Sequence, residues 1–264
     1  MQDKIIVITG ASAGIGAALT RVVGKAGARP VLVARREREL SEVAAGSGAH
    51  ALPVVADVTR RADVERVRDA ALERFGAIDV WVNNAGRGIS RVVSELTDED
   101  LDEMMLVNVK SALYGMQAVL PHFKARGRGQ IINVSSMLGR VPFAPVRSAY
   151  SASKHALNSL TANLRMELRD AYPGIHVCAV HPGVVATEFG LRALHGGFDS
   201  RSMPGAQSAE EVAAVIASVI AEPRADVYTR AGARELIAAY YAAEDLAKAE
   251  AGPPFVFRPP ARPS

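Results

Sequence analysis

Thr9-Gly10-Ala11-Ser12-Ala13-Gly14-Ile15-Gly16 is the stretch that decides the fold of this 264-residue chain. The apolar run Lys4-Ile5-Ile6-Val7-Ile8 leads into it, and a helical apolar pattern over 17–26 follows. Between a buried strand and a helix, a turn rich in glycine lets the backbone come close to a phosphate, because glycine carries no Cβ. The helix that starts there presents unpaired N–H groups and the positive end of its dipole. Position carries more of the reading than glycine content. The turn stands at the carboxyl end of the first strand, where open α/β sheets bind nucleotides.

Working outward, short β-branched runs alternate with longer amphipathic segments. Strands are predicted at 5–9, 30–34, 51–56, 78–83, 130–134, 175–180 and 227–229. Most are nearly all apolar, as strands covered on both faces are. Helical patterns lie between them, among others at 63–75, 98–123 and 148–172, and Thr97-Asp98-Glu99-Asp100 offers a capping box before the second of these. The alternation predicts an α/β fold, a doubly wound, mainly parallel seven-stranded sheet with helices on both faces. No repeat and no linker divides the chain, so one domain is expected over 1–251. The stretch 188–207, with Gly196-Gly197 and Pro204-Gly205, reads as a lid or substrate loop, and 252–264 as a Pro-rich C-terminal tail.

Apolar residues make up 49% of the chain, enough for a sizeable core. The net charge is +3 with acids and bases interspersed, which argues against nucleic acid as a partner. Cys178 is the single cysteine, so no intramolecular disulfide forms and a reducing compartment is expected. No apolar run reaches the roughly 20 residues of a spanning helix, and the first strand begins without a basic leader. The expectation is a cytoplasmic protein with no membrane partner. His176 and His181 flank a strand without an Asp, Glu or Cys at a metal-ligand spacing. No metal site is expected, and both read as packing or surface histidines. Met104, Met105, Leu113 and Trp81 read as core.

The turn has the spacing Thr-Gly-x-x-x-Gly-x-Gly. Further along stand Asn83-Asn84-Ala85-Gly86 after the fourth strand, Asn108, Ser136 after the fifth strand, Tyr150-x-x-x-Lys154, and Pro182-Gly183 followed by Thr187. In this order the set, covering roughly 4–190, resembles the short-chain dehydrogenase/reductase family, whose fold is the Rossmann type. The resemblance implies an oxidoreductase with Asn108, Ser136, Tyr150 and Lys154 as its catalytic residues. It also implies a dinucleotide held by Gly10, Ser12, Ala13, Gly14, Ile15 and Gly16, by Asp57 and Val58 at the adenine, and by Asn84, Ala85 and Gly86 on the adenosine side. Tyr150, Lys154, Pro182, Gly183, Val185 and Thr187 would complete the cofactor site toward the nicotinamide. Asp57 has a second reading as a turn cap before Val58-Thr59.

An acid at the end of the second strand would bind the ribose hydroxyls of NAD(H). Here that strand ends Val33-Ala34-Arg35-Arg36, with Ala34 at the expected position. Arg35 or Arg36 can grip a 2′-phosphate, with Ser12 adding a hydroxyl, so NADP(H) is expected over NAD(H).

Tyr150 and Lys154 are four residues apart in a helical pattern and share a face. A free phenol ionises near pH ~10, too high for proton exchange at neutral pH, and a neighbouring ammonium lowers that value. By resemblance to the family, whose serine is the second of such a pair, Ser136 rather than Ser135 would hydrogen-bond the substrate oxygen. By resemblance, Asn108 holds a helix distortion and anchors a water linked to Lys154. Ser136, Met137, Phe143, Tyr150 and Phe189 are expected to bind substrate, with Val141, Leu191, Leu194, Phe198 and Met203 as further walls. The lining predicts an apolar ketone, aldehyde or secondary alcohol, while Arg192 and Arg201 leave an acidic substrate open.

After the last strand a helical pattern over 235–249 replaces the Gly-Gly ending usual in acyl-carrier-protein ketoreductases of the family, which points away from fatty-acid synthesis. A homodimer through the helices bearing Asn108 and Tyr150 is expected, with the family's tetramer as the alternative. Two other functions remain. A weakly catalytic or inactive dinucleotide sensor on the same fold would lose part of the catalytic set, which is complete here. Epimerisation or dehydration belongs to a longer branch with a larger substrate domain.

Overall fold

In the computed structural model the described residues are 1–252; the Pro-rich segment that follows lies outside them. Seven strands and nine helices alternate along this stretch: β1 (Ile5–Thr9), α1 (Gly14–Lys25), β2 (Arg29–Ala34), α2 (Glu37–Ala45), β3 (Leu52–Val55), α3 (Arg61–Phe75), β4 (Val80–Asn83), α4 (Asp98–Met105), α5 (Ser111–Arg126), β5 (Gly129–Val134), α6 (Ser148–Leu168), β6 (Ile175–His181), α7 (Ala209–Ala221), β7 (Asp226–Tyr228), α8 (Ala233–Tyr241) and α9 (Leu246–Ala251). The strands form one parallel sheet in the order β3-β2-β1-β4-β5-β6-β7. The order reverses between β1 and β4.

Strand side chains alternate between two buried layers. Ile6, Ile8, Leu32, Val82, Ile132 and Val180 face one side with Leu19, Val23, Ile216 and Ile220. Val7, Val31, Trp81, Ile131 and Val177 face the other with Val67, Phe123 and Leu168. Burial on both faces is why these strands read as continuous apolar runs. Under the carboxyl ends a polar ladder crosses the second layer. Trp81 Nε1 donates to Asn83 Oδ1 at 2.8 Å, Asn83 Nδ2 to Asn133 Oδ1 at 2.8 Å, and Asn133 Nδ2 to Thr161 Oγ1 at 2.8 Å. Each buried polar group in it has a partner, as a stable interior requires.

Three expected elements differ. The helix predicted at 98–123 is interrupted by a π-helical turn, Leu106–Lys110, between α4 and α5. Its start is as predicted, a capping box on Thr97 and Asp100. The pattern at 235–249 is split into α8 and α9, because Asp245 Oδ1 accepts from Ala247 N and Lys248 N and starts a new helix. Within 188–207 only a 3₁₀ turn, Ser200–Ser202, is helical. That segment is pinned rather than free. Leu194 N donates to Gly88 O at 2.9 Å and Leu194 O accepts from Ser90 N at 2.9 Å.

Candidate active site

The glycine-rich turn lies where the strand order reverses, between the carboxyl ends of β1 and β4. Gly10 has φ +68°, and a methyl there would sit 2.9 Å from Ala85 Cα. A methyl on Gly16 would be 2.3 Å from the Gly10 carbonyl oxygen. The chain closes on itself here, with no space for a side chain. Asn84 braces the turn from β4: its Nδ2 donates to Thr9 O at 2.9 Å, and Thr9 Oγ1 accepts from Asn84 N and Ala85 N, both at 3.0 Å. Thr187 stands across the turn, its Cγ2 3.2 Å from a methyl built on Gly14. The first turn of α1, with Ala13 before it and Ile15 within it, has neither a side-chain cap nor an acidic residue. Its N–H groups are therefore left to a ligand. The cradle fits a pyrophosphate.

Arg36 reaches back over this turn. Its Nη2 donates to Ser12 Oγ at 3.0 Å, while its Nη1 pairs with Glu39 at 3.0 Å. Arg35 is exposed and Ala34 buried. Asp57 is committed as a turn cap, with Oδ1 accepting from Thr59 N at 3.0 Å and Thr59 Oγ1 at 2.7 Å. Val58 packs against the core beside it. Pro182 O accepts from Met137 N at 2.9 Å. Gly183 lies under Arg230, whose Nε is 2.6 Å from a methyl built there, and Met137 Sδ is at 3.4 Å. Val185 is buried in the core with α7.

Tyr150 and Lys154 lie in the first turns of α6, both buried. Lys154 Nζ donates to Val134 O at 2.9 Å and sits 5.7 Å from the Tyr150 ring centroid. It also faces Gly86, where a methyl would be 3.7 Å from Nζ and 3.0 Å from Asn108 Oδ1. The pair thus adjoins the loop that contacts the glycine-rich turn. Ser136 follows β5, and its Oγ accepts from Leu138 N at 3.1 Å. Asn108 occupies the π-helical turn, a distortion that inserts one residue into a helix. Its Nδ2 donates to Arg87 O at 2.9 Å and Ser153 Oγ at 3.1 Å, and its Oδ1 accepts from Arg87 N at 2.9 Å. It ties the loop after β4 to α6. The Phe189 ring meets Tyr150 edge-on at 5.6 Å.

The electrostatics differ from the sequence expectation. Burial raises the Tyr150 phenol above its ordinary value, and the groups that pull it back are the Ser136 hydroxyl and the Arg147 guanidinium. Burial also pulls the Lys154 ammonium down, to about 8. Both groups favour their neutral forms for the same reason, the cost of placing charge in a low-dielectric interior.

Phe143 and Val141, both expected among the substrate walls, lie beside α8. The Phe143 ring packs edge-on against Tyr240 at 5.4 Å, in a cluster with Val141 and Ile237 separate from the one containing Tyr150. The helix that follows β7 captures it. His181 is fully buried and His176 exposed. The His181 ring lies 3.3 Å from Ser136 O through Nδ1 and 2.7 Å from Asp226 Oδ1 through Nε2. Burial works against the Asp226 carboxylate, yet His181 and Arg140 hold it well below the usual carboxylate range.

Arg147 and Gly88 escaped sequence reasoning. Arg147 is 8% exposed, and its Nη1 donates to Ile89 O at 3.0 Å. A methyl on Gly88 would lie 3.0 Å from Phe189 Cε1 and 3.1 Å from Arg147 Nη1. The available signal was a cation at the start of a helix, where it opposes the dipole. Among the described residues no group of three or more His, Cys, Asp or Glu is placed to hold a metal ion, and no helix is long and apolar enough to cross a membrane.

Known proteins match this geometry. The family model for short chain dehydrogenases matches residues 4–194. A protein of Staphylococcus epidermidis named an uncharacterized oxidoreductase is 36% identical over 198 residues, covering 73% of this chain and 85% of its own length. The crystal structure of a short chain dehydrogenase/reductase from Burkholderia phymatum in complex with NAD superposes with a TM-score of 0.83 at 27% identity, over 91% of this chain and 93% of that one. An alcohol dehydrogenase from Thermococcus sibiricus complexed with 5-hydroxy-NADP gives a TM-score of 0.75 at 29% identity, over 86% and 95%. With the reversing parallel sheet, the glycine turn and the buried Tyr150–Lys154 pair next to the Gly86 loop, the chain belongs to the short-chain dehydrogenase/reductase family of oxidoreductases.

Proposed function

We propose that the protein is an NADP(H)-dependent oxidoreductase acting on a ketone, an aldehyde or a secondary alcohol of apolar character. The observation that carries this reading is the burial of Tyr150 and Lys154 side by side against the Gly86 loop, itself packed on the glycine-rich turn. When bound, the dinucleotide supplies or accepts the hydride. Tyr150 gives its phenolic proton to the carbonyl oxygen in reduction, and its phenolate takes the proton back in oxidation. Such a positioned acid contributes about 10²–10⁴-fold in rate. Ser136 donates its hydroxyl to the same oxygen, favouring the charge that develops there. Lys154 holds a positive charge beside the phenol and against the loop that borders the cofactor cradle. Asn108 positions that loop. Tyr150, Met137 and Phe189 form the substrate side.

The preference for NADP(H) rests on Ala34, which removes the acid that would favour NAD(H), and on Arg36 held over the turn at Ser12. The two structural neighbours were solved with NAD and with an NADP derivative, so this choice depends on the chain's own residues. A panel of ketones and aldehydes followed by NADPH absorbance tests the reading as a whole. Tyr150→Phe is expected to lower turnover by at least about 10²-fold while leaving NADPH binding within a few-fold. A Tyr150→Phe enzyme as fast as wild type on a confirmed substrate overturns the assignment. Arg36→Ala is expected to weaken NADPH by about 1.5–3 kcal/mol, the worth of a charge-assisted hydrogen bond, with little effect on NADH. Equal losses in a fluorescence titration of both cofactors would overturn the choice of NADP(H).

A further inference from the structure

Arg147 stands in an unusual place for an arginine. It begins α6, one helical turn before Tyr150, and is almost wholly enclosed. The Ile89 carbonyl takes one of its N–H groups at 3.0 Å, and the Phe198 ring lies 5.4 Å from its guanidinium carbon. On its other side Gly88 leaves space that a methyl would fill, and Phe189, the ring that meets Tyr150, touches the same glycine. The backbone at 88–89 and the Phe198 ring thus fix this cation, and Phe189 joins the same glycine to Tyr150.

Like Lys154, Arg147 is a buried cation bonded to a backbone carbonyl. Several charged groups on the surrounding elements are paired. Arg87 meets Glu103 at 3.1 Å, Arg91 meets Asp100 at 3.0 Å, and His195 meets the same Asp100 at 2.6 Å. In the 188–207 segment Arg192 pairs with Glu188, and Arg201 with Asp199 at 2.7 Å. Among the described residues no carboxylate forms an ion pair with Arg147, and Tyr150 follows it by three residues at the start of the same helix. A buried charge without a counter-ion is costly, so its retention invites a functional reason.

We propose that Arg147 is a positioning residue for the proton-transfer step: its guanidinium supplies the fixed positive charge that favours the ionised form of Tyr150. This rests on the reading of Tyr150 as the acid and base of the reaction. Two buried cations flank Tyr150 on α6, Arg147 three residues before it and Lys154 four after it, and Ser136 follows β5. They differ in kind. Lys154 is pulled down by burial to about 8, so its charge disappears as the pH rises toward the range in which a phenol ionises. A guanidinium, even when burial lowers it, keeps its proton throughout that range. Arg147 is the lasting charge and Lys154 the titrating one. The enclosure under Phe198 and the bond to Ile89 make Arg147 a poor anchor for an acidic substrate.

The test reads Tyr150 directly. The tyrosinate absorbance of the wild type minus that of Tyr150→Phe gives the ionisation midpoint of this one phenol, without any substrate. Repeated in Arg147→Met, which keeps the stem and removes an uncompensated charge, the midpoint is expected to rise by about one pH unit or more, tenfold in proton affinity. Arg147→Lys retains a cation and is expected to rise by less than about half of that. Arg147→Gln, which can still donate to Ile89 O, serves as the charge-free variant should the methionine form not fold. With a confirmed substrate, the basic limb of alcohol oxidation moves by the same amount while KM stays within about twofold. Midpoints within about 0.3 unit of wild type in the charge-free variant overturn the proposal, as does an equal shift in the lysine form, which would make the effect one of packing. A KM rise confined to acidic substrates, with the limb unmoved, assigns Arg147 to substrate binding and also overturns it. A wild type without turnover on any carbonyl compound, but with the midpoint shift intact, would refute the enzymatic reading and leave the electrostatic one standing.

Discussion

Lys154 is the residue whose chemistry is most altered by its place in the fold. Its ammonium is buried, bonded to one backbone carbonyl, and pulled from an ordinary 10.5 to about 8. Between these two values the unfolded chain holds a proton that the folded chain has released. Stability therefore rises with pH through this window, and below about 8 the folded protein carries the penalty of an enclosed charge. That penalty corresponds to about 3 kcal/mol, partly offset by the bond to Val134 O. Lys154→Met is expected to be the more stable protein at pH 7 by about 1–2 kcal/mol, with the advantage fading as the pH approaches 10, and to lose turnover. Urea unfolding at pH 7 and pH 10 checks this; a methionine form less stable at pH 7 would contradict the account. The spacing of four put Tyr150 and Lys154 on one helical face, and the resemblance of the whole motif set, rather than that spacing, singled them out. Arg147 was not legible in the sequence. Its meaning comes from Ile89 and Phe198, each about fifty or more residues distant in the chain, and no periodicity encodes that meeting. His181 is a similar case, since its carboxylate partner Asp226 stands in another strand. Of the two arginines after β2 the sequence put Arg35 first, whereas the structure leaves Arg35 exposed and bonds Arg36 to Ser12.

At the scale of elements, the strands were read closely because each is an apolar run covered on both faces. All seven predicted runs coincide with β1–β7 to within two residues at either end. Helix starts were legible where a side chain marks them, as at the Thr97–Asp100 box. Two breaks were hidden for physical reasons. The π-helical turn at Leu106–Lys110 keeps the chain helical and keeps apolar residues facing inward, so the pattern over 98–123 looks continuous. What distinguishes it is Asn108, whose amide satisfies the Arg87 backbone, a contact between separate elements. The split between α8 and α9 depends on Asp245 turning its carboxylate to the following N–H groups, in competition with an equally plausible unbroken helix. Phe143 follows Ser136 closely in sequence, and the strand-to-helix connection carries its ring to α8 and Tyr240, a contact that no local pattern encodes.

Over the whole molecule, the order β3-β2-β1-β4-β5-β6-β7 brings the ends of β1 and β4 together at the point of reversal, where sheets of this kind bind their ligands. The alternation of strands and helices made the parallel sheet legible, and the right-handed rule for crossovers limits the arrangements available. The strap 188–207 was expected as a loop, but its attachment at Leu194 to Gly88 and Ser90 was not readable. That attachment sets Phe189 over Tyr150 from a segment that would otherwise hang free.

One consequence follows from the amide of Asn84, which ties down the backbone of Thr9 from 75 positions further along. The phosphate cradle is local in sequence yet non-local in what maintains it. During refolding, helix formation near the N-terminus is fast, whereas contacts of such separation come late because loop closure must precede them. Capacity to capture the dinucleotide is therefore expected to return in step with the slowest recovery of global structure, and not with the early circular-dichroism signal. Stopped-flow transfer of excitation from Trp81 to NADPH, compared with far-ultraviolet recovery, times the two events; recapture of the cofactor in the earliest phase would mean that the first hairpin of strand and helix suffices without its distant brace.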